Sequence, residues 1–402
     1  MREIGSPDVG EIGSSDVGEV GSPDVGEVGS VGEIGSAGGI GLVSGPRVLV
    51  AAWVGSTNLG DELVFAGLTR LLRERGAEIT ALSVDPEGTR ASHGVEAVSA
   101  HDPRAVWAAV GCADAVVLGG GGLLQDETSP FNLPYHLVRV ALARARRTPY
   151  AGVGLGAGRL TTRTGQAMVR AAMRHAVAVS VRDEDSADLL ESIGLRRPAV
   201  AADLAFALPS PDVAARDRLV VCLRPWAGKR GVKPAAWAAP HTPTEWLDGT
   251  ACALDEAARR TGLAPHFVAL QADWDGPLHE QVAARMSSEA TFATPAVHEV
   301  TSEIATGRFV VSTRFHGGVA AALAGRPAVL IGYSPKVESL ARDLGDGARL
   351  LPWTRQGPEA LSQAIGQLSE SGVRAAADRL RRRQAGNAAA VDALLERVSS
   401  PR

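Results

Sequence analysis

The chain has 402 residues, 45% of them apolar and 21% charged, and a net charge of −4. That length and apolar share can fill two ordinary cores, and the mild acidity excludes a general attraction to nucleic acid or to an anionic membrane surface. Three scattered cysteines, Cys112, Cys222 and Cys252, exclude a disulfide framework and a zinc cluster, so a reducing cytoplasm is the expected compartment.

Residues 3–32 repeat a unit of eight, EIGSPDVG, EIGSSDVG, EVGSPDVG and a degenerate fourth copy. Each unit sets a few aliphatic residues among glycines, so burial cannot offset the entropy of ordering, and residues 1–45 are expected to form a low-complexity, disordered leader. A short repeat solenoid is the competing reading, weakened by the small number of uncapped units. The start lacks the basic region and apolar run of a signal peptide, and no window reaches the roughly 18 apolar residues of a membrane span. The expectation is a cytoplasmic protein, at most peripheral at the inner face of the membrane.

From residue 47 apolar runs alternate with amphipathic segments, which predicts a parallel sheet covered by helices on both faces. VLVAAW (48–53) predicts the first strand. The loop VGSTNLG leads into a helix opened by Asp61 and Glu62, with Val64, Leu68, Leu71 and Leu72 at helical spacing and a stop at Gly76. Glycines here allow close backbone approach to a ligand and the helix start offers free N–H groups, which makes Asn58 and Asp61 rim candidates. There is no Walker A lysine and no GxGxxG; the competing reading is that Asp61 only caps its helix. Further strands are predicted at 79–84, 115–118, 150–154, 178–181 and 199–202. The strand at 115 runs into four glycines, 119–122, which predict a tight turn pressing the backbone of Gly120 and Gly121 against a ligand or another chain segment. AVAVSV ends in Arg182, which can bind an anion in a cleft or pair with Asp183 or Asp185; spacing leaves both open.

LPSPDVAARD (208–217) breaks the rhythm and divides a domain over 46–210 from a second α/β domain over 211–402. The second predicts strands at 219–223, 266–270, 309–312 and 328–333, with a closing pair of helical segments over the Arg-rich 374–399. Two open sheets facing one another leave a cleft at the carboxyl ends of their strands. In STRFHGGVAAALAGRPAVLIGYSPK (312–336), Arg314 and His316 leave one strand, on the same side of an extended exit, and Lys336 leaves its neighbour. Lys336 is one of only three lysines, with Lys229 and Lys233. Two cations and an imidazole at one rim suit an anionic substrate that needs proton transfer; the competing reading has His316 capping its helix and the cations paired to surface carboxylates. His93, His101 and His241 lack such companions and are expected to be structural or exposed. No spacing of His, Cys, Asp and Glu suggests a metal site.

The ordered set GSTNLGDE, GGGGLLQDETS, SVRDEDSADLL, AADLAF, CLRPW, RFHGGVAAA and GYSPK resembles the polysaccharide pyruvyl transferase family, particularly its bacterial cell-wall branch, over roughly residues 47–345. The resemblance implies two Rossmann-like domains in a glycosyltransferase-B-like pair facing a cleft. It also implies phosphoenolpyruvate as donor, no cofactor, and a sugar acceptor, such as a lipid-linked polysaccharide precursor, that receives a pyruvate ketal as phosphate leaves. Carried over by motif, His316 would be the catalytic imidazole and Asp61 would serve the acceptor or catalytic rim. Arg182, Arg314 and Lys336 would bind the donor, and Arg224 in CLRPW would line the cleft. RFHGGV and GLGAG depart from the more usual Arg-Leu-His-Ala and Gly-Ile-Gly-Pro, which leaves the acceptor sugar open. Two other functions share this architecture, a nucleotide-sugar-dependent glycosyltransferase and a non-catalytic anion-binding protein, and donor turnover separates them.

Overall fold

The computed structural model describes residues 45–127, 129–225, 242–332, 334–352 and 358–400. The repeat-bearing leader lies outside the described residues.

Seven strands form the first sheet: β1 (Arg47–Ala51), β2 (Glu78–Ser83), β3 (Glu96–Ser99), β4 (Ala115–Leu124), β5 (Tyr150–Ala157), β6 (Val179–Val181) and β7 (Ala199–Val200). Six form the second: β8 (Arg218–Cys222), β9 (Ala264–Val268), β10 (Thr291–Ala293), β11 (Phe309–Ser312), β12 (Ala328–Gly332) and β13 (Ala348–Pro352). All pairings are parallel, in the orders β3-β2-β1-β4-β5-β6-β7 and β10-β9-β8-β11-β12-β13. The chain reverses its direction of travel across the sheet between β1 and β4, and again between β8 and β11. Such switch points open a crevice beyond the carboxyl ends of the strands, because the flanking helices cross over to opposite faces.

Burial on both faces follows from the strand sequences. Along β1, Val48 and Val50 enter the core on one face while Leu49 and Ala51 enter the core on the other. Along β8, Val220 and Cys222 separate from Leu219 and Val221 in the same way. A period of two with both phases apolar is what a strand covered by helices on both sides requires.

The four glycines do not make a tight turn. They lie inside β4, where Gly120 and Gly121 take φ of 60° and 75° and the register with β5 shifts between Gly121 and Leu124. A Cβ on Gly120 would stand 2.1 Å from Val64 Cγ1, so a bulged strand lets the Leu59–Arg73 helix settle directly on the sheet. The glycines do press against another chain segment.

The closing segments also differ from expectation. Pro358–Gly366 is one helix and Glu370–Ser399 is a single helix of 30 residues. Its first half packs Val373, Ala376 and Leu380 into the second domain's core, and its second half packs Ala390, Val391 and Leu394 onto the first sheet. The helix that sequence assigns to the second domain therefore spans both. Among the described residues no helix is long and apolar enough to cross a membrane.

Candidate active site

The rim beyond β1 is held by the helix that follows it. Glu62 is buried; its Oε1 accepts N–H bonds from Gly55 at 2.9 Å and Ser56 at 3.1 Å, and His93 Nε2 lies 2.8 Å from its Oε2. Asn58 caps the helix: its Oδ1 accepts from Gly60 N–H at 3.2 Å and its Nδ2 donates to Asp61 Oδ2 at 2.6 Å. Asp61 is thus oriented by the cap and is not itself the cap. A Cβ on Gly121 would stand 3.6 Å from Asp61 Oδ1, which places this carboxylate over the bulge of β4. Burial pushes Asp61 above the usual carboxylate range, against the pull of His316, Lys336 and the Asn58 bond.

On the facing domain the chain turns at Arg314, the N-cap of the Phe315–Leu323 helix, and His316 falls in that helix's first turn. The extended exit expected from the sequence, with both side chains on one side, is not what forms. Arg314 turns toward the Ala272–Ala283 helix, where its Nε donates to Asp275 Oδ2 at 3.0 Å and its Nη2 to Asp275 Oδ1 and to Gln271 Oε1 at 3.2 Å. Asp275 is fully buried and also accepts the N–H groups of Leu270 and Gln271 at 3.1 and 3.0 Å.

His316 turns instead onto the first domain. Its ring packs against Gly60, where an added Cβ would stand 2.2 Å from Nδ1. Its Nε2 lies 3.6 Å from Asp203 Oδ2, an ion-pair distance beyond hydrogen-bond reach, and both atoms are buried without a hydrogen bond. Burial would raise the Asp203 carboxyl, but His316, Arg182 and the Ala205 N–H together hold it below the usual range, so it is a carboxylate at neutral pH.

Arg182 shares this carboxylate. It is 7% exposed, donates from Nε to Asp183 Oδ2 at 3.1 Å, and brings Nη1 to 3.7 Å from Asp203 Oδ2. Asp183 is realised as its partner; Asp185 pairs with Arg342 instead. The guanidinium carbon sits 4.5 Å from the centre of the Phe315 ring, and Lys336 Nζ lies 5.9 Å from the same centre. One aromatic ring thus lies within cation–π range of both cations. Arg224 lies at the carboxyl end of β8, where its backbone N–H donates to Thr313 Oγ1 at 2.8 Å beside the start of the Arg314 turn.

The structure therefore gathers Asp61, His316, Arg182 and Lys336 at one rim with Asn58 and Gly121 beneath Asp61, and directs Arg314 to a buried acid. Sequence reasoning missed Asp203, Phe315 and Asp275. Asp203 stands in AADLAF immediately beyond β7, so an acid at a strand's carboxyl end was the available signal; for Asp275, in the middle of ADWDGP, there was none. Asp203 is further tied by the last helix: Gln384 Nε2 donates to its carbonyl, Asn387 Nδ2 donates to Ala202 O at 2.9 Å, and Ser180 Oγ donates to Asn387 Oδ1 at 2.7 Å. Among the described residues no group of three or more His, Cys, Asp or Glu side chains is placed to hold a metal ion.

The family model described as polysaccharide pyruvyl transferase matches residues 58–335, from the helix cap beside Asp61 to the residue before Lys336. The chain belongs to the polysaccharide pyruvyl transferase family. No curated protein matches it in sequence. Among solved structures it is similar to a putative UDP-N-acetylglucosamine 2-epimerase from Listeria monocytogenes, with a TM-score of 0.57 at 11% identity over 90% of this chain and 99% of that one. It is also similar to Anabaena HepE in complex with UDP and glucose, with a TM-score of 0.54 at 16% identity over 86% and 98%. The S. aureus MnaA–UDP co-structure gives a TM-score of 0.55 at 11% identity over 85% and 92%. These likenesses show the fold, so this pyruvyl transferase family member has a glycosyltransferase-B-like pair of domains.

Proposed function

We propose that the protein transfers a pyruvyl group from phosphoenolpyruvate to two hydroxyls of a sugar in a polysaccharide precursor, releasing phosphate and leaving a cyclic ketal. The observation that carries this reading is the meeting of His316 from one domain with Asp203 and Asp61 from the other, with Arg182 and Lys336 both near the Phe315 ring.

Phosphoenolpyruvate presents a carboxylate and a phosphate on a three-carbon skeleton, which calls for directed cations. Lys336 and Arg182 are the donor-binding groups, with Arg224 at the carboxyl end of β8; Arg314 would join them only by giving up its bonds to Asp275. Protonated His316 delivers its proton to the methylene carbon, and the Asp203 carboxylate stabilises the imidazolium and fixes its orientation. The adjacent carbon becomes cationic and is attacked by one sugar hydroxyl, whose proton passes to Asp61. Its raised basicity suits it to that role. The second hydroxyl then displaces phosphate and closes the ring, its proton returning to the now neutral His316, while Asp61 passes its proton to the departing phosphate. No cofactor takes part in this scheme.

The test is mass spectrometry of lipid-linked and nucleotide-linked sugars after incubation with phosphoenolpyruvate, with phosphate release followed in parallel. The His316→Ala variant should retain donor affinity and lose about 10²–10⁴ in turnover. Equal phosphate release by this variant and the parent would remove the imidazole from the chemistry. Consumption of a UDP-sugar with no use of phosphoenolpyruvate would favour a glycosyltransferase.

A further inference from the structure

Aromatic residues are scarce in this chain, 4% of the total, yet several meet at one place on the first domain. Trp53, just beyond β1, is 37% exposed; its ring lies 5.7 Å from Tyr135 and 6.3 Å from His136, edge-on to both. Tyr135 and His136 are themselves 5.0 Å apart and nearly perpendicular, and His101, just beyond β3, lies 6.0 Å from Tyr135. Both belong to the Asn132–Arg146 helix, whose N-cap Phe131 is 77% exposed and one helical turn before Tyr135. None of these residues takes part in the chemistry proposed above.

Position makes the cluster significant. Trp53 and Asp61 both follow β1, and the aromatic helix follows β4, the strand whose Gly121 lies under Asp61. The cluster thus lies at the same carboxyl rim as Asp61, around the β1/β4 switch point of the first domain. Trp53 and Phe131 leave large aromatic side chains exposed at this rim, beside the half-buried Tyr135.

The chemistry favours a neutral, ring-shaped ligand. Trp53 is partly exposed and Tyr135 half-buried, one of its faces covered by Arg139, so the pair offers aromatic surface to the C–H face of a pyranose. His136 is held far down, at about 4, by burial and by Arg139, so it stays a neutral imidazole able to donate and accept one hydrogen bond each. Arg139 is itself buried against the Tyr135 ring at 3.6 Å and donates to Ala100 O at 3.0 Å, fixing the ring from behind. That geometry presents the ring and withholds the charge.

We infer that Trp53 and Tyr135, held in place by the buried His136 packed against both rings, form the platform on which the pyranose ring of the acceptor stacks, delivering two hydroxyls toward Asp61. This rests on the pyruvyl-transfer reading for the word acceptor, but the sugar site itself does not.

The test is saturation-transfer NMR on the full chain with methyl glycosides of glucose, galactose, N-acetylglucosamine and N-acetylmannosamine, with uridine as the competing aromatic ligand, and with and without phosphoenolpyruvate. At least one glycoside should receive saturation through its ring C–H protons. Trp53→Ala and Tyr135→Ala should each weaken its binding by about tenfold or more, while Trp53→Phe and Tyr135→Phe retain most of it, and phosphoenolpyruvate affinity by calorimetry should not change. In turnover the two alanine variants should raise the sugar KM with little change in kcat. Absence of transfer to every glycoside, transfer unaltered in both alanine variants, or transfer to uridine that those variants abolish would overturn the platform. If sugars bind here but phosphoenolpyruvate is not bound at all, the platform stands and the donor reading fails.

Discussion

Gly60→Ala tests whether the two domains place the imidazole by direct contact. An added Cβ would lie 2.2 Å from His316 Nδ1, 2.8 Å from Cγ and 3.1 Å from Cβ, so about 1 Å of overlap with the ring has to be relieved. A long side chain could swing its end away, but His316 has its own Cβ at the contact, so either the ring rotates off Asp203 or the start of the Leu59–Arg73 helix withdraws. The substitution favours the helix by about 0.5–1 kcal/mol and costs about 1–3 kcal/mol in overpacking, leaving a net destabilisation of about 0–2.5 kcal/mol. Turnover should suffer more, because a 1 Å displacement of a reacting group costs about 10² in rate. The assay pairs phosphate release with the NMR chemical shifts of the His316 ring. The ring signals should move as the ring leaves Asp203, while the melting curve stays cooperative. Turnover within threefold of the parent, with unaltered ring signals, would refute direct placement of the imidazole.

Asp61→Asn should raise the melting temperature at pH 7 while lowering turnover by about 10²–10⁴. The folded carboxyl is raised above its unfolded value, so the native state binds more protons between the two and loses stability as pH rises through that window. The amide removes this loss, and the gain should vanish below the ordinary aspartate range, about pH 4, which a melting series across pH would show; destabilisation at pH 7 would contradict it. Arg314→Ala should cost about 3–5 kcal/mol in denaturant unfolding, because Asp275 is left charged and fully buried. The double variant Arg314→Gln with Asp275→Asn should recover most of it, and an unchanged midpoint in the single variant would show that the pair does not hold the fold.

The strands that sequence reveals are those with apolar residues in both phases. VLVA and LVVC are covered on both faces and interior to their sheets, and such runs have no other soluble explanation. β3, β10 and β13 escape notice because each is an edge strand with mixed burial; TFA in β10 buries almost nothing, and pairing with β9 holds it in the sheet. The glycine run misleads for a related reason. Four glycines carry no pattern of their own, and only the approach of Val64 and Leu204 from other elements decides that the backbone bulges without turning.

The same distinction between local and distant causes governs the site. Asp61, His316, Arg182 and Lys336 were legible because each stands at the carboxyl end of a recognisable strand, where the chain itself fixes the direction of exit. Their partners were not, because partnership depends on which domain faces which. Arg314 and His316 are two residues apart yet serve opposite sides: one is fixed by Asp275 within its own domain and the other reaches across to Gly60 and Asp203. The last helix makes that crossing dependable. It is buried in one core at Val373 and in another at Leu394, and between these points Gln384 and Asn387 bond the backbone around Asp203. A carboxylate oxygen left without a hydrogen bond opposite an imidazole of the other domain requires that the two domains keep their relative position. A 30-residue helix rooted in both cores supplies that rigidity, and the connecting segment around residues 208–217 could not do so alone.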